Sequence, residues 1–217
     1  MSKLNGLGDV DRFLASSRQQ NKLFLTKLYS RKDWSAQKTD GTLTPLGKQN
    51  TIFLHHTVTE PTVDAFADTR AVQQIAFNKP YADISYNLLV HGFEGIGLEG
   101  RGRTIGAHTL KWNEKSFAIS VIANAEDDIE KYSYDTVIVA CADMIVAMWQ
   151  MGWLTSTRPD IRLHKSVFQT ACPGKHIVAR LDMMRQLAYG KIDMFNDRGR
   201  FGKPVEATAH AQLFGFI

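Results

Sequence analysis

The chain has 217 residues, of which 44% are hydrophobic and 22% charged, and its formal net charge is +4. This composition is that of a folded globular protein, which excludes disordered and fibrous chains, and the length suits one domain with a sizeable core. No run approaches the roughly 18 apolar residues that cross a bilayer, and the first residues do not resemble a signal peptide. We therefore expect neither a transmembrane segment nor a signal peptide.

The positive charge is concentrated at the start of the chain, where residues 1–50 hold nine Lys or Arg and four Asp. Such a region suits an anionic polymer, and it suits a solvated surface equally well. The sequence has no arginine-rich block and no RNP, zinc-finger or helix-turn-helix signature. We therefore expect no nucleic-acid partner.

The apolar patterns predict an alternation of helices and strands. In chain order they predict one or two short helices over residues 9–29, a buried strand over 51–56, a helix over 62–78 capped by Thr62 or Asp64, and a strand over 84–90. They continue with a glycine-rich hairpin or loop over 92–106, which contains a short strand, and with a strand over 117–123. A helix over 133–151 follows and is ended by Gly152. The last elements are a short strand over 161–164 and a helix over 175–189 that stops at Gly190.

This order predicts an α/β fold with a central mixed β-sheet flanked by helices. We expect a helical N-terminal extension over residues 1–30, a single domain over 31–190 and a C-terminal tail over 191–217. The apolar end of that tail, residues 213–217, is expected to pack back on the domain.

Histidine and cysteine residues indicate a metal site. His164 precedes Cys172 by eight residues in a loop, and His55 and His56 end a predicted strand. A catalytic zinc takes three protein ligands and leaves one position for water. Neighbouring side chains on a strand point to opposite faces, so only one of His55 and His56 serves the site. On residue types alone, a Cys–His nucleophilic pair stays open as an alternative.

The remaining histidines and tryptophans suggest structural positions. We expect His91 and His210 at the surface, His176 near a helix start and Cys141 buried in its apolar helix. The tryptophans are core candidates, except that Trp112 lies between His108 and Asn113 and is a candidate for stacking on sugar or peptide.

Five motifs follow one another between residues 31 and 187. They are residues 31–36, residues 52–57, residues 84–90 followed by 100–102, residues 106–108 with Asn113 and the strand at 117, and His164 with residues 170–174. Together they resemble the amidase family that includes small phage endolysins and the peptidoglycan recognition proteins.

The resemblance implies a zinc-dependent N-acetylmuramoyl-L-alanine amidase, which hydrolyses the amide between N-acetylmuramic acid and L-alanine in peptidoglycan. It implies zinc ligation by His55, His164 and Cys172, with Tyr86 at the active site. Thr170 occupies a position where some phage enzymes have lysine, and it is a second catalytic candidate.

Substrate contacts are expected from the segment that follows the tyrosine strand. The resemblance places His108 and Asn113 along the substrate groove, and we add Trp112 as a stacking candidate. Peptidoglycan is thus the expected partner, and we expect the protein to be a monomer.

Three other functions stay open. A non-catalytic peptidoglycan-binding protein would lose the cysteine ligand, which this chain keeps as Cys172. The second is a cysteine hydrolase, and the third is an intracellular amidase that recycles muropeptides, although relatives of that kind carry aspartate as the last ligand. We expect a phage endolysin, held in the host cytoplasm before lysis and acting on the cell wall after release.

Overall fold

The computed structural model describes residues 9–17, 26–127 and 132–201. Its elements in chain order are α1 (Asp9–Ser17), β1 (Leu28–Tyr29), β2 (Thr51–His56), α2 (Ala65–Asn78), β3 (Leu88–His91), β4 (Gly97–Glu99), β5 (Ser116–Ile122), α3 (Tyr134–Gln150), β6 (Asp160–Leu163), a 3₁₀ turn (His164–Ser166), α4 (Lys175–Val178) and α5 (Leu181–Phe201). No helix among the described residues is long and apolar enough to cross a membrane.

The six strands form one mixed sheet in the order β1-β4-β3-β5-β2-β6. Only the β3–β4 pair is antiparallel, and the other neighbours run parallel. Strands β3, β4 and β5 are buried along their whole length, and β2 along all but its first residue, as expected where helices cover both faces of a sheet. The predicted α/β class with a mixed sheet flanked by helices is confirmed.

Alternate residues of the strands face two different cores. Ile52 and Leu54 of β2 pack with the apolar face of α3. The opposite face of the sheet carries a smaller cluster in which Leu89 of β3 packs with Trp34 and with Val72 of α2. Because side chains alternate along a strand, His56 shares the face of Leu54 and points to the α3 side, whereas His55 shares the face of Phe53.

Helices α2 and α3 begin and end close to the predicted positions. The Asp64 carboxylate accepts hydrogen bonds from the backbone N–H groups of Phe66 and Ala67, so Asp64 is the N-cap of α2. Helix α3 is apolar through its middle and buried over most of its length, and Gly152 follows it with a φ of +71°. Glycine adopts this left-handed conformation readily, which explains why the helix ends there.

The strand predicted over residues 84–90 is shorter in the structure, where β3 begins at Leu88. The Asn87 side chain explains the difference, because its amide donates to the carbonyl oxygens of Gly102 and Thr104, and its oxygen accepts from the backbone N–H of Ala118. The backbone N–H of Asn87 still donates to the carbonyl oxygen of Ala118, but the Ala118 N–H bonds to the Asn87 side chain, so the regular ladder begins at the next residue.

The two ends of the chain also depart from prediction. Leu28 and Tyr29 form a strand that pairs with β4, where a helix was expected. Helix α5 continues through Gly190 to Phe201. A glycine inside a helix costs only about 1 kcal/mol, and the buried Ile192 packs beyond it. Residues 18–25 and 202–217, including His210 and the apolar end at 213–217, lie outside the described residues.

The prediction that His91 lies at the surface is wrong. The side chain is fully buried, and its Nε2 lies 3.0 Å from Oδ2 of Asp68 on α2. The backbone N–H of Glu94 donates to Nδ1, which leaves the Nε2 proton for the aspartate. A buried polar ring needs such partners, and the sequence gives no sign of the one that lies on another element.

Candidate metal centre

The register of two parallel strands brings His55 and His164 together. Leu54 of β2 pairs with Leu163 of β6, so the next residue of each strand lies at the same carboxyl edge of the sheet. The two imidazole rings are 4.5 Å apart between centroids. Two residues separated by more than one hundred positions thus become neighbours through strand pairing alone.

A loop after His164 returns Cys172 to the same point. The backbone N–H of Lys165 donates to the carbonyl oxygen of Cys172, which closes the loop. The Cys172 sulfur then lies 3.5 Å from Nδ1 of His55. One ligand atom from each of His55, His164 and Cys172 lies within 4.8 Å of the other two.

The donor set fits a zinc ion. Burial, together with the neighbouring His108 and His164, lowers the pKa of His55 well below its usual value, and burial also lowers the pKa of His164. Both imidazoles are therefore neutral and free to bind a metal at neutral pH. Nδ1 of His164 is buried and has no hydrogen-bond partner among the described groups. Two imidazoles and a sulfur are a common ligand set for zinc.

His56 lies outside this cluster because its ring faces the other side of the sheet. Its Nδ1 accepts a hydrogen bond of 3.1 Å from the backbone N–H of Ala125. Its own backbone N–H donates to the Cys172 sulfur at 3.4 Å. The geometry therefore brings His55, and not His56, together with His164 and Cys172.

Tyr86 lies next to the cluster, at the end of a cleft. Its ring centroid is 5.3 Å from that of His55, and burial raises the pKa of its hydroxyl to about 12. The group is therefore a neutral hydrogen-bond donor at pH 7. The cleft beside it is lined mainly by α2 and by the segment after β2, with Thr57, Thr59, Val72, Ile75, Ala76, Lys79, Ser85 and Tyr86.

His108 also faces the cluster, at 5.3 Å from His55 between ring centroids. Burial lowers the pKa of His108 to about 3, so its ring is neutral. Nδ1 lies 3.0 Å from the hydroxyl of Thr109, which is 3.3 Å from Nε2 of His55. Nε2 of His108 is buried without a partner among the described residues.

The loop that carries His108 is fixed by Asn113. The Asn113 side-chain oxygen accepts from the backbone N–H groups of His108 and Thr109, at 2.9 and 2.8 Å. This oxygen is thus used within the protein, and a direct substrate contact by Asn113 stays a prediction. Thr109 was not singled out from sequence, although its position directly after His108 was the available signal.

Trp112 and Thr170 lie at the margin of the site. Trp112 is partly exposed, packs edge-on against Phe53 at 5.5 Å, and has the Arg162 guanidinium over its ring at 4.9 Å. The Thr170 hydroxyl accepts from the backbone N–H of Cys172 at 3.2 Å. This bond supports the cysteine loop, and a catalytic role for Thr170 stays a prediction.

These observations define a mixed α/β domain with a His-His-Cys cluster at the carboxyl edge of its parallel strands. Residues 45–175 match the family model Amidase_2, described as N-acetylmuramoyl-L-alanine amidase. The matched region contains all three candidate ligands. This chain therefore belongs to the N-acetylmuramoyl-L-alanine amidase family.

Individual relatives are peptidoglycan-recognition proteins. Peptidoglycan-recognition protein SC1a of Drosophila melanogaster is 31% identical over 139 residues, which are 58% of this chain and 70% of the relative. The structure of Drosophila PGRP-LB superposes with a TM-score of 0.64 at 25% identity, over 72% of this chain and 93% of that one. Peptidoglycan recognition protein-LE, solved in complex with tracheal cytotoxin, gives a TM-score of 0.65 at 26% identity, over 72% and 92%.

Proposed function

We propose that this chain is a zinc-dependent N-acetylmuramoyl-L-alanine amidase that acts on bacterial peptidoglycan. The observation that carries the proposal is the cluster of ligand atoms from His55, His164 and Cys172, within 4.8 Å of one another. Zinc bound there supplies Lewis acidity toward a carbonyl oxygen and toward water. Family membership supplies the substrate class, since the relatives are peptidoglycan-recognition proteins.

In the reaction, the oxygen of water joins the lactyl carbonyl carbon, the carbon–nitrogen bond breaks, and the alanine nitrogen gains a proton. Negative charge develops on the carbonyl oxygen as the carbon becomes tetrahedral. The Tyr86 ring lies beside His55, and we assign to its neutral hydroxyl the role of donating a hydrogen bond to that oxygen. Preorganised donors of this kind contribute about 2.7–4 kcal/mol to transition-state stabilisation.

The cleft next to Tyr86 is the proposed position of the substrate. Apolar side chains of α2 form one wall, and the hydroxyls of Thr57 and Ser85 line it as well. Nε2 of His108 is buried without a partner among the described residues, so it is available to a polar group of the substrate. Trp112 is the proposed stacking surface, because its ring is partly exposed.

A cysteine hydrolase is disfavoured by the electrostatics of the same residues. Burial raises the pKa of the Cys172 thiol to about 12, and burial lowers the pKa of the adjacent His55. A reactive cysteine requires the opposite, a lowered thiol pKa next to a cationic partner. A bound metal would remove the need for a cationic partner, because coordination itself displaces the thiol proton of Cys172.

The test is digestion of purified sacculi by the zinc-loaded protein, with mass spectrometry of the released ends. We expect new N-terminal L-alanine and stem-free N-acetylmuramic acid, and we expect neither from Cys172→Ser, which lacks one ligand. A protein that binds sacculi and releases no ends is a non-catalytic peptidoglycan-binding protein. New ends at sugar–sugar or peptide–peptide bonds would refute the amidase assignment.

We further propose that the protein works as a monomeric phage endolysin, which reaches the wall from the host cytoplasm after release. The sequence pI of about 9.0 supports adsorption to an anionic wall. Expression in a bacterial host should cause lysis when the cytoplasmic membrane is permeabilised and not before. Cleavage of soluble muropeptides without attack on sacculi would indicate a recycling amidase instead.

A further inference from the structure

His56 contacts both the Cys172 sulfur and the segment that follows β5. Its backbone N–H donates to the Cys172 sulfur at 3.4 Å, and its ring Nδ1 accepts from the backbone N–H of Ala125 at 3.1 Å. The residue is 5% exposed, and its ring faces away from the ligand cluster. His56 thus joins the cysteine to the segment that follows β5.

That segment supports the turn after Cys172 at three points. The backbone N–H of His176 donates to the carbonyl oxygen of Ala125 at 3.2 Å, and that of Lys175 donates to the Glu126 carboxylate at 2.9 Å. Gly174, with a φ of +92°, lies directly against Ala125, where a Cβ atom would come within 2.4 Å of the Ala125 carbonyl group. The cysteine turn and the Ala125 segment therefore pack as a single unit.

The His56 ring is the side-chain group that fixes Ala125 from the sheet side. His56 pairs with Val121 of β5 at the end of β2, so the position of its backbone is set by the sheet. A buried backbone N–H that loses its acceptor costs about 1–3 kcal/mol, so Ala125 would move to find another one. Because Gly174 lies against Ala125, such a movement displaces the turn that presents the Cys172 sulfur.

We propose that His56 is a positioning residue, whose ring fixes Ala125 and thereby holds Cys172 at the metal. This inference rests on the proposed zinc site. Residues that orient metal ligands typically change metal affinity by about 10- to 100-fold when they are replaced. The backbone N–H that donates to the sulfur is present in any non-proline variant, so substitution isolates the contribution of the ring.

The experiment compares His56→Ala with His56→Asn, whose side-chain oxygen provides an acceptor near the place of Nδ1. Zinc affinity is measured by competition with a chromophoric chelator, and the thiolate-to-cobalt absorption band is recorded after loading with Co²⁺. We expect His56→Ala to bind zinc about 10- to 100-fold more weakly and to show an altered band. His56→Asn should regain most of the affinity and the parental band.

His91→Ala is the matched control, because it removes a buried histidine from the end of β3, which β5 separates from β2, and His91 is not a member of the cluster. Its zinc affinity and cobalt band should equal those of the parent. Should His56→Ala fail to fold, His56→Leu takes its place, since it fills the cavity without an acceptor. If the variant without an acceptor binds zinc as tightly as the parent, the proposed role of His56 is wrong. It is also wrong if His56→Asn loses as much zinc affinity as that variant. A parent that binds no zinc overturns the proposed function instead.

Discussion

The Cys172 sulfur lies 3.5 Å from Nδ1 of His55, a residue 117 positions earlier in the chain. Strand pairing positions the histidine, and a loop closed by the hydrogen bond from Lys165 to Cys172 positions the sulfur. Burial lowers the pKa of His55 and raises the pKa of Cys172, so both side chains are uncharged at neutral pH. Each of them can bind a metal. The contact is therefore not an ion pair between thiolate and imidazolium, and the proposed zinc site gives both groups a common partner.

The first prediction separates the two adjacent histidines of β2. His55→Ala should lose stoichiometric zinc, because it removes a ligand atom of the cluster. His56→Ala should still bind one zinc per chain at saturating metal, although more weakly, because its ring faces Ala125. Metal analysis of both variants, with circular dichroism to check folding, decides the matter. Zinc retained by His55→Ala and lost by His56→Ala would reverse the assignment of the two faces.

The second prediction concerns the Tyr86 hydroxyl. Tyr86→Phe should lower kcat by about one hundredfold or more, because it removes the hydrogen-bond donor proposed for the transition state. Zinc content and thermal stability should equal those of the parent. Tyr81→Phe is the control, since Tyr81 is nearby in sequence and 41% exposed. If Tyr86→Phe digests sacculi at the parental rate, Tyr86 contributes packing alone.

The predictions from sequence are confirmed where a single local pattern determines the structure. The apolar runs of β2 and α3 predict a buried strand and a buried helix, and of the two capping candidates Thr62 and Asp64 the structure has Asp64 as the N-cap of α2. The cluster of His55, His164 and Cys172 was expected from the family motifs, and the structure brings the three residues together. Alternation along β2 also predicts that His55 and His56 lie on opposite faces of the sheet, as they do in the structure.

The predictions are wrong where a residue distant in the sequence determines the local structure. His91 is buried because Asp68 of α2 lies 3.0 Å from its ring, and no local pattern records that contact. Helix α5 passes Gly190 because tertiary packing of Ile192 outweighs the small helix penalty of glycine. Strand β3 begins only at Leu88 because the Asn87 side-chain oxygen accepts the bond from the backbone N–H of Ala118.

The third prediction is a pH dependence of stability that originates from Glu99. Burial raises the pKa of this carboxyl from 4.5 to about 7, opposed by its contact with Arg31 and reinforced by Asp11 and Asp9 of α1. The folded protein therefore holds the proton more tightly than the unfolded chain. The stabilisation is fully present below about pH 4.5 and is lost as the pH rises through 7.

Glu99→Gln should remove this contribution, which has a limiting slope of about 1.4 kcal/mol per pH unit. Urea unfolding of parent and variant between pH 4.5 and 8 measures the difference in unfolding free energy. We expect the variant to gain stability relative to the parent as the pH rises. Glu114→Gln serves as a control at an exposed carboxyl. Parallel pH curves for parent and Glu99→Gln would show that Glu99 ionises normally.

The fourth prediction concerns a buried ion pair that joins α3 to α5. Lys191 pairs with Asp143, and the second carboxylate oxygen of Asp143 accepts from the backbone N–H of Thr26 at 3.0 Å. Asp143 is fully buried and Lys191 is 6% exposed. Removing one partner of a buried pair leaves the other charge uncompensated, which costs about 3–5 kcal/mol.

Asp143→Asn should therefore lower the unfolding free energy by about 3–5 kcal/mol, measured by urea denaturation at pH 7. The matched control is Asp193→Asn on α5, whose partner Arg158 forms a pair in which both side chains are about half exposed. That substitution should change stability by less than about 1 kcal/mol. Equal effects of the two substitutions would mean that Lys191 reaches water or another acceptor once the Asp143 charge is removed. Zinc content should stay at the parental level in both variants, because neither aspartate belongs to the ligand cluster.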